Sequence, residues 1–173
     1  MKKFLAVVIC MAITLNLTGC FALKSFDAKN RTDLPADYSF KILQNIENTL
    51  KRGRAEDLCK LFGSYYNVTV DDAQALYDHI DGQIISADYD FIKNSSRTNE
   101  DGEYIYYAYS GDFVLSTSNG TSYHTYFAGY SIYDEEPQKK GLEYIYIENS
   151  ADASLWYGIG NYQTFVDSRE VTL

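Results

Sequence analysis

Basic residues are scarce in this chain. Its 15 Lys and Arg stand against 24 Asp and Glu, a formal net charge of −9. A surface of that sign repels phosphates and anionic lipid head groups, which excludes nucleic acid as a partner. Histidine is scarcer still: His79 and His124 are the only two, and they fall in different elements. Asp78-His79-Ile80-Asp81 has the composition of a ligand cluster, but residues one and two apart on a helix do not face each other. Asp88-Tyr89-Asp90 does not open an EF-hand, because Lys93 and Asn99 stand where that loop needs Gly and Glu. Gly158-Ile159-Gly160 lacks the third glycine of a dinucleotide fingerprint, and no G-x-S-x-G nucleophile elbow occurs. The motifs therefore assign no metal, no cofactor and no catalytic residue.

Long apolar runs are also missing. The longest, Phe4 to Leu17, is broken at Asn16 and again after its end at Thr18, short of the roughly 20 residues that a spanning helix needs. It follows Lys2-Lys3 and ends in Leu17-Thr18-Gly19-Cys20, which gives a basic start, an apolar core and a small-residue boundary, the three parts of a secretory signal. The Leu-Thr-Gly-Cys end resembles the lipobox of bacterial lipoproteins. That resemblance implies lipidation of the Cys20 sulfur and cleavage before it. An ordinary signal with a coincidental cysteine is the alternative. Two acyl chains hold a protein on a bilayer where a single chain binds reversibly. The expected location is the cell membrane, facing outside the cytoplasm, with the membrane as a partner through the N-terminal lipid.

Cleavage removes Lys2 and Lys3 and no acid, which leaves 13 basic residues against 24 acidic ones, or −11. It also removes Cys10. With Cys20 lipidated, Cys59 is left without a bridging partner and reads as a small hydrophobe beside Leu58 and Leu61. Residues 20–34 have no sustained apolar period and read as a tether. Residues 35–173 have the length of one domain with one core.

Tyrosine is what the chain has in excess, with 17 of 173 residues. Its ring suits a pleated, half-buried surface, and its polar tip suits a wet interface or a pocket. Helical spacing predicts a first helix over 35–52, with Ile42, Leu43, Ile46 and Leu50 on one face, and a second over 55–62. A third is expected from Asp71, with Gln74 completing a capping box and Gly82 closing it. The period then becomes alternating. Strands are expected over 83–92, 103–116, 121–133 and 140–148, with 93–102 as a polar loop. Helices first and a meander after gives α+β. Leu155-Trp156-Tyr157-Gly158 follows as an apolar stretch that closes the sheet or makes an edge contact, with Trp156 its aromatic of interest.

Asn119-Gly120 between long aromatic runs is the signal of a two-residue hairpin loop. In that register one face carries Ile105, Tyr107, Tyr109, Phe113 and Leu115 against Ile132, Tyr130, Ala128, Tyr126 and His124. This more apolar face is expected to meet the helices, with Asp112 on the other. A bulge would exchange the faces beyond it.

The chain resembles the nuclear transport factor-like superfamily of cone-shaped domains, which includes ketosteroid isomerase-like and polyketide cyclase-like enzymes. More closely it resembles a family of bacterial lipoproteins placed there, one with no assigned activity to carry over. The likeness rests on Ala55-Glu56-Asp57-Leu58 before Leu61-Phe62, and on Ile80-Asp81-Gly82 with Ile84 and Ser86. It continues through Tyr123 to Tyr133 and Gly141-Leu142, and spans roughly residues 36–150. It implies three N-terminal helices on a curved antiparallel sheet of four or more strands. Tyr107, Tyr109, His124, Tyr126 and Tyr130 are then the candidate pocket. Three functions follow. The first is a non-catalytic module for a small apolar ligand or a protein partner, with the outer face of the sheet as candidate homodimer surface. The second is an isomerase- or cyclase-like enzyme, and the third a structural or immunity-type surface lipoprotein.

Overall fold

Helix α1 (Tyr38–Arg52) carries Ile42, Leu43, Ile46 and Leu50 on one stripe, and all four are buried. Burial of such a side chain contributes about 1.5–3 kcal/mol, so the stripe fixes which face of the helix meets the rest of the domain. Lys51 and Arg52 end it, where the helix dipole favours cations. This computed structural model describes residues 38–170. The predicted signal, Cys20, the tether and the start of the first predicted helix at Pro35 lie outside the described residues. Among the described residues no helix is long and apolar enough to cross a membrane.

Helix α2 (Ala55–Cys59) is shorter than its spacing predicts. Leu61 and Phe62 leave it because their backbone is claimed elsewhere. The Leu142 amide donates to the Leu61 carbonyl at 2.7 Å, and the Gly63 amide donates to the Leu142 carbonyl at 3.1 Å. Helix α3 (Val70–His79) starts before Asp71, capped by Thr69. The Asp72 amide donates to the Thr69 hydroxyl at 3.2 Å, and the Thr69 amide donates to the Asp72 carboxylate at 2.8 Å. The capping box is therefore Thr69 with Asp72, and Gln74 instead donates to Asp78 at 2.8 Å.

Five strands follow as one antiparallel sheet in chain order: β1 (Ile84–Thr98), β2 (Tyr104–Thr117), β3 (Ser122–Tyr133), β4 (Gly141–Asn149) and β5 (Trp156–Gly160). The architecture is α+β with an open antiparallel sheet. Strand β1 runs through residues 93–98, where a polar loop is expected. Those residues bury little, but each finds a partner on the long β2, from Lys93 opposite Ser110 to Thr98 opposite Tyr104. Backbone pairing carries them, with polar side-chain contacts from Asn94 to Ser39 at 3.1 Å and from Arg97 to Glu135 at 2.6 Å. The turn sits later, at Asn99 to Gly102, where the Asn99 side chain accepts from the Asp101 and Glu103 amides at 3.1 and 2.9 Å. The apolar stretch around Trp156 becomes β5, paired along β4 from Glu148–Trp156 to Tyr144–Gly160. Helix α4 (Gln163–Glu170) follows it; its sequence carries too weak an apolar stripe to announce a helix.

The hairpin between β2 and β3 departs from expectation by one residue. Thr117 and Thr121 close a three-residue loop, with the Thr117 amide donating to the Thr121 carbonyl at 2.9 Å and the Gly120 amide to the Thr117 carbonyl at 3.0 Å. Gly120 takes φ +81°, the left-handed position that follows a type I turn in such loops. Leu115 therefore pairs with Tyr123, Phe113 with Thr125 and Gly111 with Phe127. Because side chains alternate, this slip of one residue turns the whole near half of β3 over. Tyr123, Thr125 and Phe127 face the helices, and His124, Tyr126 and Ala128 face away.

Candidate functional site

The five candidate pocket residues are split between the two faces of the sheet. Tyr107 and Tyr109 are buried under the helices, as expected. The Tyr107 and Ser39 hydroxyls lie 2.6 Å apart, and Tyr38 packs edge-on at 5.2 Å. Burial holds the Tyr109 phenol pKa well above its ordinary value. His124, Tyr126 and Tyr130 stand on the opposite, outer face. The shared concavity read from a two-residue loop is corrected by the register, since the type I turn plus left-handed glycine inserts the residue that reverses β3. Between the sheet and the helices the space is taken by Phe113, Leu115, Phe127, Ile145 and Ile147, none with any exposed surface.

The outer face has a covered half and an open half. Over β3 to β5 the cover is α4. Phe165 lies 4.7 Å from the Tyr126 ring, 5.2 Å from Tyr146 and 5.6 Å from Tyr144, centre to centre. Trp156 stacks on Tyr146 at 5.4 Å. Inside this aromatic patch sits Glu148, with 7 % of its surface exposed. Arg169 donates to its two carboxylate oxygens at 2.7 and 3.4 Å, and Tyr126 donates to it at 3.2 Å. The Arg169 guanidinium also lies 5.4 Å from the Tyr126 ring centre and 5.5 Å from that of Phe165, within cation–π range. Hydrogen bonding to Glu148 raises the Arg169 pKa, while burial and the same carboxylate raise the Tyr126 phenol. Tyr144, Tyr146 and Glu148 share a face through strand alternation, so their association was readable from sequence. Arg169 had no comparable signal. His124 pairs with Glu148 across β3 and β4, and its ring stacks on Tyr126 at 6.4 Å.

The open half is a trough of about 200 Å³ between β1 and β4. Its floor is made of small side chains, Ala108, Ser110 and Ala128, and its walls include Lys93, Tyr130 and Glu143. At one end Tyr106, Tyr130 and Tyr133 pack together with ring centres 4.9 to 5.8 Å apart. Burial, helped by the nearby Glu143 carboxylate, pushes the Tyr130 pKa up to about 12. The phenol keeps its proton at any physiological pH, so it serves as a fixed donor and apolar wall. Phe91, 57 % exposed, projects from β1 on the same face.

The remaining candidates disperse. Asp78 accepts from Gln74, and Asp81 accepts from Asn119 at 2.8 Å. The His79 ring lies 5.6 Å from that of Tyr157. Among the described residues no three metal-capable side chains converge. Cys59 is half-buried and donates to the Val68 carbonyl at 3.1 Å, a packing role. Gly158 and Gly160 belong to β5; a Cβ at Gly158 would lie 2.4 Å from the Tyr162 ring. Comparison with models of known families and with curated proteins finds no match for this chain.

Proposed function

We propose that this chain is a membrane-anchored lipoprotein, held outside the cytoplasm through Cys20, whose domain is a non-catalytic binding or interaction module. The anchor reading is supported by Lys2-Lys3, the apolar stretch and Leu-Thr-Gly-Cys. Helices followed by an antiparallel meander support kinship with the nuclear transport factor-like domains and their cone shape. The observation that carries the binding reading is the open trough on the outer face. Its small floor admits an apolar group, and Tyr130, Ser110, Glu143 and Lys93 offer polar contacts around it. Homodimerisation would use this same face.

The isomerase- or cyclase-like alternative needs a chamber between helices and sheet, and that volume is packed with Phe113, Phe127 and Ile145. The filled interior favours, as second reading, a structural lipoprotein. The tests are separate for each claim. Cys20→Ser should move the protein out of the membrane fraction, and its retention there would refute the anchor. The purified protein should retain a small molecule, detected by mass spectrometry, that Ala128→Trp excludes by filling the trough. Equal retention by both would refute the trough as the site, and retention by neither would favour the structural role.

A further inference from the structure

Strand β1 forms one edge of the sheet. It runs for 15 residues and pairs only with β2, so among the described residues its other side presents a row of unpaired backbone groups. Such an edge is a template for a further strand unless its side chains repel one. Here they are aromatic on both faces. Phe91 stands exposed on the outer face, and Tyr89 stands exposed on the helix side, where the Phe40 ring of α1 packs against it at 5.7 Å. The charges are patterned too. Asp88 and Lys93 share the outer face with Phe91, one row to either side of it, since they pair with Val114 and Ser110 while Phe91 pairs with Asp112. Both are exposed, and among the described residues neither has a charged partner.

We propose that this edge binds a second copy of the chain, β1 against β1, antiparallel about a two-fold axis that passes through Phe91 perpendicular to the sheet. Opposed residues of an antiparallel pair share a face, so the axis fixes every other pair. With Phe91 opposite Phe91 of the second copy, Asp88 of each chain meets Lys93 of the other. On the helix side Tyr89 meets Ile92, and the bulge between Tyr89 and Phe91 leaves its extra residue outside the ladder in both copies. Aromatic pairs, aromatic with β-branched pairs and opposite charges are the cross-strand pairs that stabilise a sheet. Moving the axis to Tyr89 or Ile92 sets Phe91 against Asp88 or Lys93 and loses both ion pairs. Moving it to Asp88 or Lys93 opposes like charges. The strand is therefore complementary to itself in one register. Lys93 also walls the trough, so Asp88 of the second copy would stand at its rim, but the pairing does not rest on what the trough binds.

One strand pair is a small interface, so the readout is cross-linking, which captures a weak dimer. Phe91→Cys in the full chain puts a thiol on the axis, opposite its own copy at a separation that a disulfide bridges. Ser95→Cys is exposed on the same face but stands two rows from the axis. After oxidation, non-reducing electrophoresis should show a covalent dimer from Phe91→Cys, and from Ser95→Cys no more than from the unmodified chain. Asp88→Lys added to Phe91→Cys opposes two lysines and should slow the cross-link about tenfold or more. Lys93→Asp added to both exchanges the charges and should restore the rate. No cross-link at 91, or equal cross-linking at 91 and 95, would overturn the proposal. A rate indifferent to Asp88→Lys would place the contact elsewhere, on the outer face, and overturn the edge. Failure of the exchange to restore the rate would overturn the register and the proposal with it.

Discussion

The hydroxyl of Tyr109 fills the space above Gly129: a Cβ at residue 129 would lie 2.7 Å from that oxygen and 2.3 Å from the Gly141 carbonyl. The glycine is thus what lets β3 and β4 approach while a tyrosine from β2 packs across them. Gly129→Ala should destabilise the domain by about 1–3 kcal/mol, the usual cost of overpacking a tight site. Chemical denaturation of the two proteins checks this, and an unchanged midpoint would contradict it.

Two neighbouring aromatics on β3 should differ sharply. Phe127 has no exposed surface, whereas Tyr130 is half-buried on the outer face. Phe127→Ala should cost about 3–5 kcal/mol. Tyr130→Ala should cost about 1 kcal/mol, the worth of its ring contacts with Tyr106 and Tyr133. Comparable losses at the two positions would contradict the division of the faces.

The cap of α3 gives an acid-side test. Hydrogen bonds from the Thr69 hydroxyl and amide hold the Asp72 carboxyl below its ordinary pKa of 3.8. A depressed folded-state value contributes stability that is full above 3.8 and is lost as pH falls through the depressed one. Thr69→Ala should therefore destabilise by about 1 kcal/mol near neutrality. The gap between the two proteins should narrow in strong acid, and a gap independent of pH would argue against the box.

Tyrosine burial makes an alkaline prediction of opposite sign. Tyr130 and Tyr144 have phenol pKa values pushed up to about 12 by burial, with Glu143 adding to both, against an ordinary value of 10.0. The folded state then binds protons more tightly than the unfolded one between these values. Stability should be intact below pH 10 and should fall as pH climbs from there. Denaturant melts across this range, with phenolate absorbance followed in parallel, check it. A flat profile would contradict the burial of these rings.

Much of the fold was legible because it rests on periodicity. The stripe of α1, the alternation in β2 to β4 and the Asn119-Gly120 turn each have a local cause in the sequence. The site was not, and one residue accounts for it. Asn-Gly serves either a two-residue loop or, as here, the end of a type I turn with Gly120 left-handed, and the choice reverses which face of β3 meets the helices. The alternating runs on β2 and β3 are aromatic on both faces, so composition could not decide between them. Tyr126 illustrates this: it is half-buried on the outer face under Phe165, a contact that depends on a helix whose own sequence is polar. Residues 93–98 failed for a simpler reason, since a strand held by backbone pairing and polar side-chain contacts carries no apolar signal.

The orientation of β3 decides whether the trough and the aromatic patch under α4 exist at all. It is tested by native-state thiol labelling of Ala128→Cys and Thr125→Cys, read by mass spectrometry of the labelled peptides. The cysteine at 128 should react in the folded protein, and that at 125, whose native threonine has no exposed surface, should react only after unfolding. Reaction at 125 with protection at 128 would turn His124, Tyr126 and Tyr130 back toward the helices and contradict the account.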